Sequence, residues 1–230
     1  MSFQKIWKRY WKLVLTLGII SAALLYSIYK LYQPPPSLPI YAPNMLDESL
    51  VDPDIQYVRK YHKIPDFKLI NQNGDTITQA NYEGKIYVAD FFYTTCPSFC
   101  ADLTASFQRI QKEIKNDDKV FLLSHTVTPE IDSVSQLKDY AIKHEVDDQK
   151  WNLVTGPKKE IYELARKAYC VVQEDGDGGE FDMIHTENLA LIDSKKRIRG
   201  YYDGTDEDEV NQLLKDIKTL KKIEELNAEK

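Results

Sequence analysis

Cysteine is scarce in this chain: three residues in 230, none before residue 96. Three thiols cannot all pair with one another, so a dense disulfide framework is excluded. Basic charge is also in deficit. The chain carries −6 overall, and Lys5, Lys8, Arg9 and Lys12 place four positive charges at its start, which leaves −10 for the rest. A domain that acidic repels nucleic acid. No internal repeat is present, which sets aside solenoid architectures. The acidic run Glu174-Asp-Gly-Asp-Gly-Gly-Glu180 resembles a calcium loop in composition only. The twelfth position from Asp175 is Thr186, where a bidentate glutamate is needed, so the run reads as a flexible loop suited to a basic partner.

Charge is missing from one further stretch. Leu13 to Tyr29 is seventeen largely apolar residues with no ionisable side chain but tyrosine, bounded by Lys12 and Lys30. That is the short end of what spans a bilayer, and Trp7, Tyr10, Trp11 and Tyr32 suit the two interfaces. Basic residues precede the span and no acid does, so the N-terminus is expected in the cytoplasm and the remainder in the periplasm. This is the layout of a single-pass protein of a bacterial inner membrane. Ser21-Ala22-Ala23 offers a rival cleavage site, but the apolar run continues past it to Tyr29, which favours an uncleaved anchor. Residues 33–60 hold six of the ten prolines and read as an extended spacer. The expected organisation is a cytoplasmic tail (1–12), an anchor (13–32), a proline-rich linker (33–60) and a folded domain (61–230).

Within that domain, Phe67–Ile70 and Thr76–Thr78 flank Asn71-Gln-Asn-Gly74 as a hairpin. Ile86–Tyr93 is apolar on both faces except at Asp90, as a central parallel strand is. Leu103, Phe107, Ile110 and Ile114 form one helical stripe. Further strands are expected at Val120–Leu123 and Trp151–Val154. A helix runs through Val134, Leu137 and Ala141, and another, opened by Pro157 in its first turn, runs through Ile161, Leu164, Ala165 and Ala168. A closing hairpin joins Leu189–Ile192 to Arg197–Tyr202, and a last helix, capped by Thr205 or Asp206, presents Val210, Leu213, Leu214, Ile217 and Leu220. Strands alternating with helices predict an α/β fold, a mixed central sheet flanked by helices in the thioredoxin-like manner, behind an N-terminal transmembrane helix.

Two of the cysteines, Cys96 and Cys100, lie where the Ile86 strand meets the Leu103 helix. At a helix N-terminus the dipole and unsatisfied N–H groups favour thiolate over thiol. A spacing of four stacks the two sulfurs on one side of a turn, facing a common soft metal, while a disulfide stays accessible with local adjustment. Thiolates suit Cu(I), and an imidazole suits Cu(II) beside them. His185 precedes the Leu189 strand, in the loop that faces the first Cys in a thioredoxin-like fold, and is the natural third ligand. His125, at the end of the Val120 strand, is an alternative ligand or docking residue, though a capping or surface role is the commoner one. His62 reads as an ordinary linker residue, His144 as a helix-surface one, Met183 as packing, and Cys170 as a small buried hydrophobe. Asp90, six residues before Cys96, is where thioredoxins hold a buried Asp that handles the thiol proton; an Asp hydrogen-bonded within the sheet or pointing to its rim is the equal alternative.

The anchor, Phe92-Tyr-Thr-Thr-Cys96-Pro-Ser-Phe-Cys100, the block Leu153-Val-Thr-Gly-Pro157 to Tyr169, and His185-Thr186 together resemble the SCO/SenC family of copper-binding assembly factors for cytochrome c oxidase. The resemblance covers residues 61–222. It implies copper bound by Cys96, Cys100 and His185, and delivery to the dinuclear copper site of an oxidase subunit. Another periplasmic thiol reductase or copper chaperone is a further implied partner. Two positions depart from the family's pattern: Ala101 stands where a proline is usual, and Ile184 where an Asp precedes the distal His. The loss of that outer carboxylate weakens copper. Together with Asp90 it keeps a second function open, thiol:disulfide exchange with Cys96 attacking, Cys100 resolving and Asp90 accepting the proton. Nothing specific supports a thiol peroxidase.

Overall fold

The computed structural model describes residues 3–32, 34–46, 51, 54–60, 62–96, 100–172, 179, 182–184 and 186–228. They fall into two compact units, Met1–Pro36 and Ser37–Lys230. The first is a single helix, α1 (Phe3–Leu31), within which Trp7–Lys30 is long and apolar enough to cross a membrane.

The second unit is built on a seven-stranded sheet. Its strands are β1 (Lys68–Asn71), β2 (Thr76–Thr78), β3 (Ile86–Phe92), β4 (Val120–Thr126), β5 (Trp151–Thr155), β6 (Asn188–Ile192) and β7 (Ile198–Asp203), and their spatial order is β2-β1-β5-β4-β3-β6-β7. β3, β4 and β5 are parallel neighbours, whereas β1 joins β5, and β6 joins β3, in antiparallel register. The helices are α2 (Cys100–Ile114), α3 (Val134–Lys143), α4 (Lys158–Glu163) and α5 (Glu207–Ala228).

All seven residues of β3 are buried, as its apolar run requires. The strand's alternation splits them between two cores. Ile86, Val88 and Phe92 meet the α2 stripe of Leu103, Phe107, Ile110 and Ile114 together with Val210, Leu213, Ile217 and Leu220 of α5. Tyr87, Ala89 and Phe91 face Ile161, Leu164, Ala165 and Tyr169. Each of these fully buried large side chains contributes about 1.5–3 kcal/mol of transfer free energy. Gly204 lets the end of β7 approach α2, since a Cβ there would collide with Leu103, and its carbonyl accepts from Ser106 Oγ at 2.7 Å.

Helix ends follow local chemistry. Ser133 caps α3 by accepting from Gln136 N–H, and Asp206 caps α5 by accepting from Asp208 and Glu209 N–H. Pro157 stands at the N-cap of α4, one residue before the first-turn position expected of it. α4 then widens into a π turn over Leu164–Ala168, which the apolar spacing does not reveal.

Part of the proline-rich stretch is hydrogen-bonded to the sheet. Leu38 and Pro39 give their carbonyls to Arg199, at 2.8 and 2.7 Å, and Tyr41 N–H donates to Ile198 O at 2.9 Å. Extended proline-rich backbone makes no internal hydrogen bonds, so its carbonyls are open to such a partner. This strap belongs to the compact unit, Ser37–Lys230.

Candidate metal centre

The carboxyl end of β3 launches the cysteine pair. Val127 N–H donates to Phe92 O at 2.8 Å, tying the ends of β3 and β4 together, and Cys96 N–H closes a turn onto Tyr93 O at 3.4 Å. Cys96 is half-buried against the α2-side core. Cys100 is the first residue of α2; its side chain and residues 97–99 lie outside the described residues. One cysteine therefore precedes a fifteen-residue helix by four residues and the other is its first residue, at the end whose dipole favours thiolate over thiol.

Asp132 braces that turn. It is fully buried, and its carboxylate accepts from Thr94 N–H at 3.2 Å, Thr94 Oγ1 at 2.5 Å, Thr128 Oγ1 at 3.1 Å, and Thr126 Oγ1. Gln136 Nε2 adds a bond to Thr94 Oγ1 at 3.2 Å. The carboxylate thus joins the end of β4, the start of α3 and the residue two before Cys96. Sequence reasoning missed it, because an Asp beside a Ser helix cap reads as ordinary capping.

Asp90 lies in the sheet beneath α2, paired in register with Ser124. It is 4% exposed, and no described group bonds its Oδ1. Burial pushes its carboxyl up to about 7, against the pull of a hydrogen bond from Ser124. His125 overturns the expectation of a capping or surface histidine. It is fully buried on the opposite face, stacked on Phe91 at 4.7 Å, with Tyr169 at 5.4 Å and Phe67 at 6.2 Å. Its position near the end of β4 follows from β4 running to Thr126, three residues beyond the predicted strand. Its Nδ1 is 3.2 Å from Asp90 O, and burial depresses its basicity to about 4. The ring is core, with no route to a metal or a partner.

His185 lies outside the described residues, but both flanks are defined. Ile184 is buried and its N–H points at Tyr162 Oη from 3.4 Å. Thr186 Oγ1 donates to Val171 O at 2.7 Å, and Asn188 Nδ2 does so at 3.2 Å. Asp182 is gripped by both guanidinium nitrogens of Arg166, at 2.6 and 2.7 Å, with both side chains 8% exposed. Met183 is 39% exposed and is not core packing. The β3–β6 register, with Ala89 opposite Ala190, brings the end of β3 and the start of β6 to one edge of the sheet. Among the other candidates, Cys170 is buried as expected, His62 bonds Ala168 O at 2.7 Å, and His144 caps α3 against Tyr140. Most of the Glu174–Glu180 loop lies outside the described residues.

Among the described residues, no group of three His, Cys, Asp or Glu forms a metal site. What the described part supplies is a sulfur donor on a braced turn beside a helix N-terminus, a donor chemistry that fits a soft, thiophilic ion.

A model of the family described as SCO1/SenC matches residues 55–222. The chain belongs to the SCO1/SenC family. It is 27% identical over 160 residues to the SCO1 protein homolog of Bacillus subtilis (strain 168), covering 69% of this chain and 82% of that protein. BsSco, solved in a study of a disulfide switch and described as a member of the Sco family of cytochrome c oxidase assembly proteins, superposes with a TM-score of 0.59 at 25% identity. That match covers 69% of this chain and 93% of BsSco. ScoI of Arabidopsis thaliana, solved with copper bound, shares the fold with a TM-score of 0.54 at 24% identity, over 70% of this chain and 98% of that one. The fold expectation, a mixed thioredoxin-like sheet flanked by helices, is met.

Proposed function

We propose that this SCO1/SenC protein is a membrane-anchored copper chaperone. Its cargo would be bound by Cys96, Cys100 and His185 and handed to the dinuclear copper site of a cytochrome oxidase subunit. The observation that carries the reading is the half-buried Cys96 on a braced turn at the carboxyl end of β3, with Cys100 opening the helix that follows. Two thiolates suit Cu(I), and the addition of an imidazole suits Cu(II). Transfer proceeds by ligand exchange. A thiolate of the recipient bonds the copper as one thiolate of the pair leaves, and the oxidation state of the metal does not change.

The anchor raises the effective concentration of the head near a membrane-bound client. We place the tail in the cytoplasm and the head in the periplasm, because Lys5, Lys8, Arg9 and Lys12 precede the span. The test is copper titration of the reduced, detergent-solubilised chain, wild type against His185→Ala. Tight 1:1 binding whose Cu(II) form depends on His185 is expected. Weak binding, or a Cu(II) form indifferent to His185, would sink the reading.

Asp90 favours a second reading, reduction of the client's copper-site cysteines. The Cys96 thiolate attacks the client disulfide, forming a mixed disulfide and expelling one client thiolate. Cys100, giving its proton to Asp90, then attacks Cys96 and expels the second. Two electrons pass to the client, and this chain leaves as a disulfide that a periplasmic dithiol reductase must reduce. A carboxyl poised near neutrality six residues before Cys96 suits that proton transfer. Asp90→Asn should slow client reduction and leave copper affinity unchanged; equal rates would remove Asp90 from the reaction.

A further inference from the structure

One hydroxyl lies between the two loops that flank the candidate centre. Tyr162 Oη on α4 is 2.9 Å from Val127 O and 3.1 Å from Asp182 O, and the Ile184 N–H reaches it from 3.4 Å. Val127 N–H donates to Phe92 O, so the phenol is one residue removed from the strand end that launches the Cys turn. Arg166, four residues along, doubles the tie by forking onto Asp182, and its guanidinium lies 5.3 Å from the centre of the Tyr162 ring.

The far flank of residue 185 is held by the same stretch of chain. Beyond the π turn, Cys170 adopts a left-handed conformation (φ 52°), and the Val171 carbonyl that follows receives Thr186 Oγ1 and Asn188 Nδ2. Residues 162–171 thus fasten both sides of residue 185.

Stability alone does not explain this arrangement. A buried ion pair is often neutral or worse than apolar residues of the same volume, and its best-attested use is to fix register. The segment registered here leads directly into residue 185: the Asp182 carbonyl and the Ile184 N–H both meet the Tyr162 hydroxyl. Asp182, three residues before residue 185, accepts from both guanidinium nitrogens of Arg166.

We propose that Tyr162 and Arg166 are positioning residues for the metal centre, locking the backbone that leads into residue 185 to the end of β4 and, through it, to β3. This inference rests on His185 being a ligand, and its test separates the two ideas.

The test compares Tyr162→Phe, the double variant Arg166→Met/Asp182→Leu, and His185→Ala with the wild-type full chain in detergent. The double variant replaces the ion pair with apolar side chains, which keeps the fold independent of a lone buried charge. The measurements are Cu(II) affinity and electron paramagnetic resonance spectrum, Cu(I) affinity by competition, and amide hydrogen exchange at Ile184 in the metal-free protein.

For Tyr162→Phe and the double variant, Cu(II) should weaken roughly 10- to 100-fold with an altered spectrum, while Cu(I) changes by less than about threefold. Ile184 should exchange faster in the absence of metal. Wild-type Cu(II) affinity and spectrum in both variants would overturn the inference. So would equal losses for Cu(I) and Cu(II), which would mark a general loosening, or unchanged exchange at Ile184. If His185→Ala weakens Cu(II) and the other variants do not, the positioning role alone falls. If His185→Ala changes nothing, the ligand assignment falls and takes the positioning role with it.

Discussion

Two buried aspartates hold opposite edges of the sheet. Asp132, at the carboxyl edge of the parallel strands, gathers Thr94, Thr126 and Thr128. Asp193, 1% exposed in the turn between β6 and β7, accepts from Lys195 and Arg197 N–H and from the side chains of Arg197 and Arg199. Arg199 in turn holds the Leu38–Pro39 strap. The partners differ in kind. Asp193 is neutralised by two guanidinium groups, whereas hydroxyls and one amide satisfy Asp132. One carboxylate secures a chain entry by ion pairing, and the other shapes the turn before Cys96 by hydrogen-bond geometry. The two carboxylates are equally buried and differ in what their partners carry.

The largest effect should come from the sulfur itself. Cys96→Ser should cost copper more than about a hundredfold in affinity, beyond what loss of an outer partner costs, and competition titration reads it directly. Copper binding that survives this change would dissolve any functional contrast between the two edges.

The contrast is tested next by paired substitutions. Asp193→Ala leaves the nearly buried Arg199 uncompensated and should destabilise by about 3–5 kcal/mol in chemical denaturation, with copper affinity of the folded protein unchanged. Asp132→Ala strands three hydroxyls and should cost about 2–4 kcal/mol, and it should also weaken copper measured well below the unfolding transition. If the two variants lose copper equally, Asp132 has no special role at the site.

A smaller effect separates the two faces of the sheet. Asp90 titrates near 7 in the fold and near 3.8 when free, so the native state keeps a proton that the unfolded chain sheds. Its contribution falls as pH rises from about 4 to about 7. His125 works in the opposite sense. Its folded value near 4 lies below the free 6.5, so its contribution is lost as pH falls from about 6.5 to about 4. The two slopes oppose one another in the shared window and leave the wild type nearly flat there. Asp90→Asn should stabilise by about 2 kcal/mol at pH 8 and expose a loss on acidification, while His125→Phe should expose a loss on alkalinisation. Denaturant midpoints across pH 4–8 check both, and two flat single variants would refute the assignment.

The smallest effect belongs to the surface. Lys138 and Asp148 pair at 3.1 Å with 40% of each side chain exposed, so Lys138→Ala should move stability by less than about 1 kcal/mol and leave copper untouched.

Periodicity carried most of the fold. The stripe of Leu103, Phe107, Ile110 and Ile114, the unbroken β3 and the α5 face are all written in spacing, because burial on one face demands it. The proposed donors, Cys96, Cys100 and His185, are read from residue chemistry, whereas the supports around them are not legible in the sequence. The bonds from Asp132 to Thr94 and from Tyr162 to Val127 and Asp182 join residues that only the tertiary fold brings together. His125 was misjudged because the end of a strand near a functional edge resembles a rim, whereas aromatic neighbours on three sides make it core. The π turn left no trace in the apolar pattern, since Ile161, Leu164, Ala165 and Ala168 satisfy both helical registers.

Cys170 gives the chain an internal gauge of its own integrity. Its thiol is 1% exposed, beneath the π turn and within 3.9 Å of Lys167 O. A bulky alkylating reagent meets Cys96 on the native surface but reaches Cys170 only when residues 162–171 open. Mass-resolved labelling of one sample therefore counts two events at once: the occupancy of the cysteine pair, and the opening of the clasp beside residue 185.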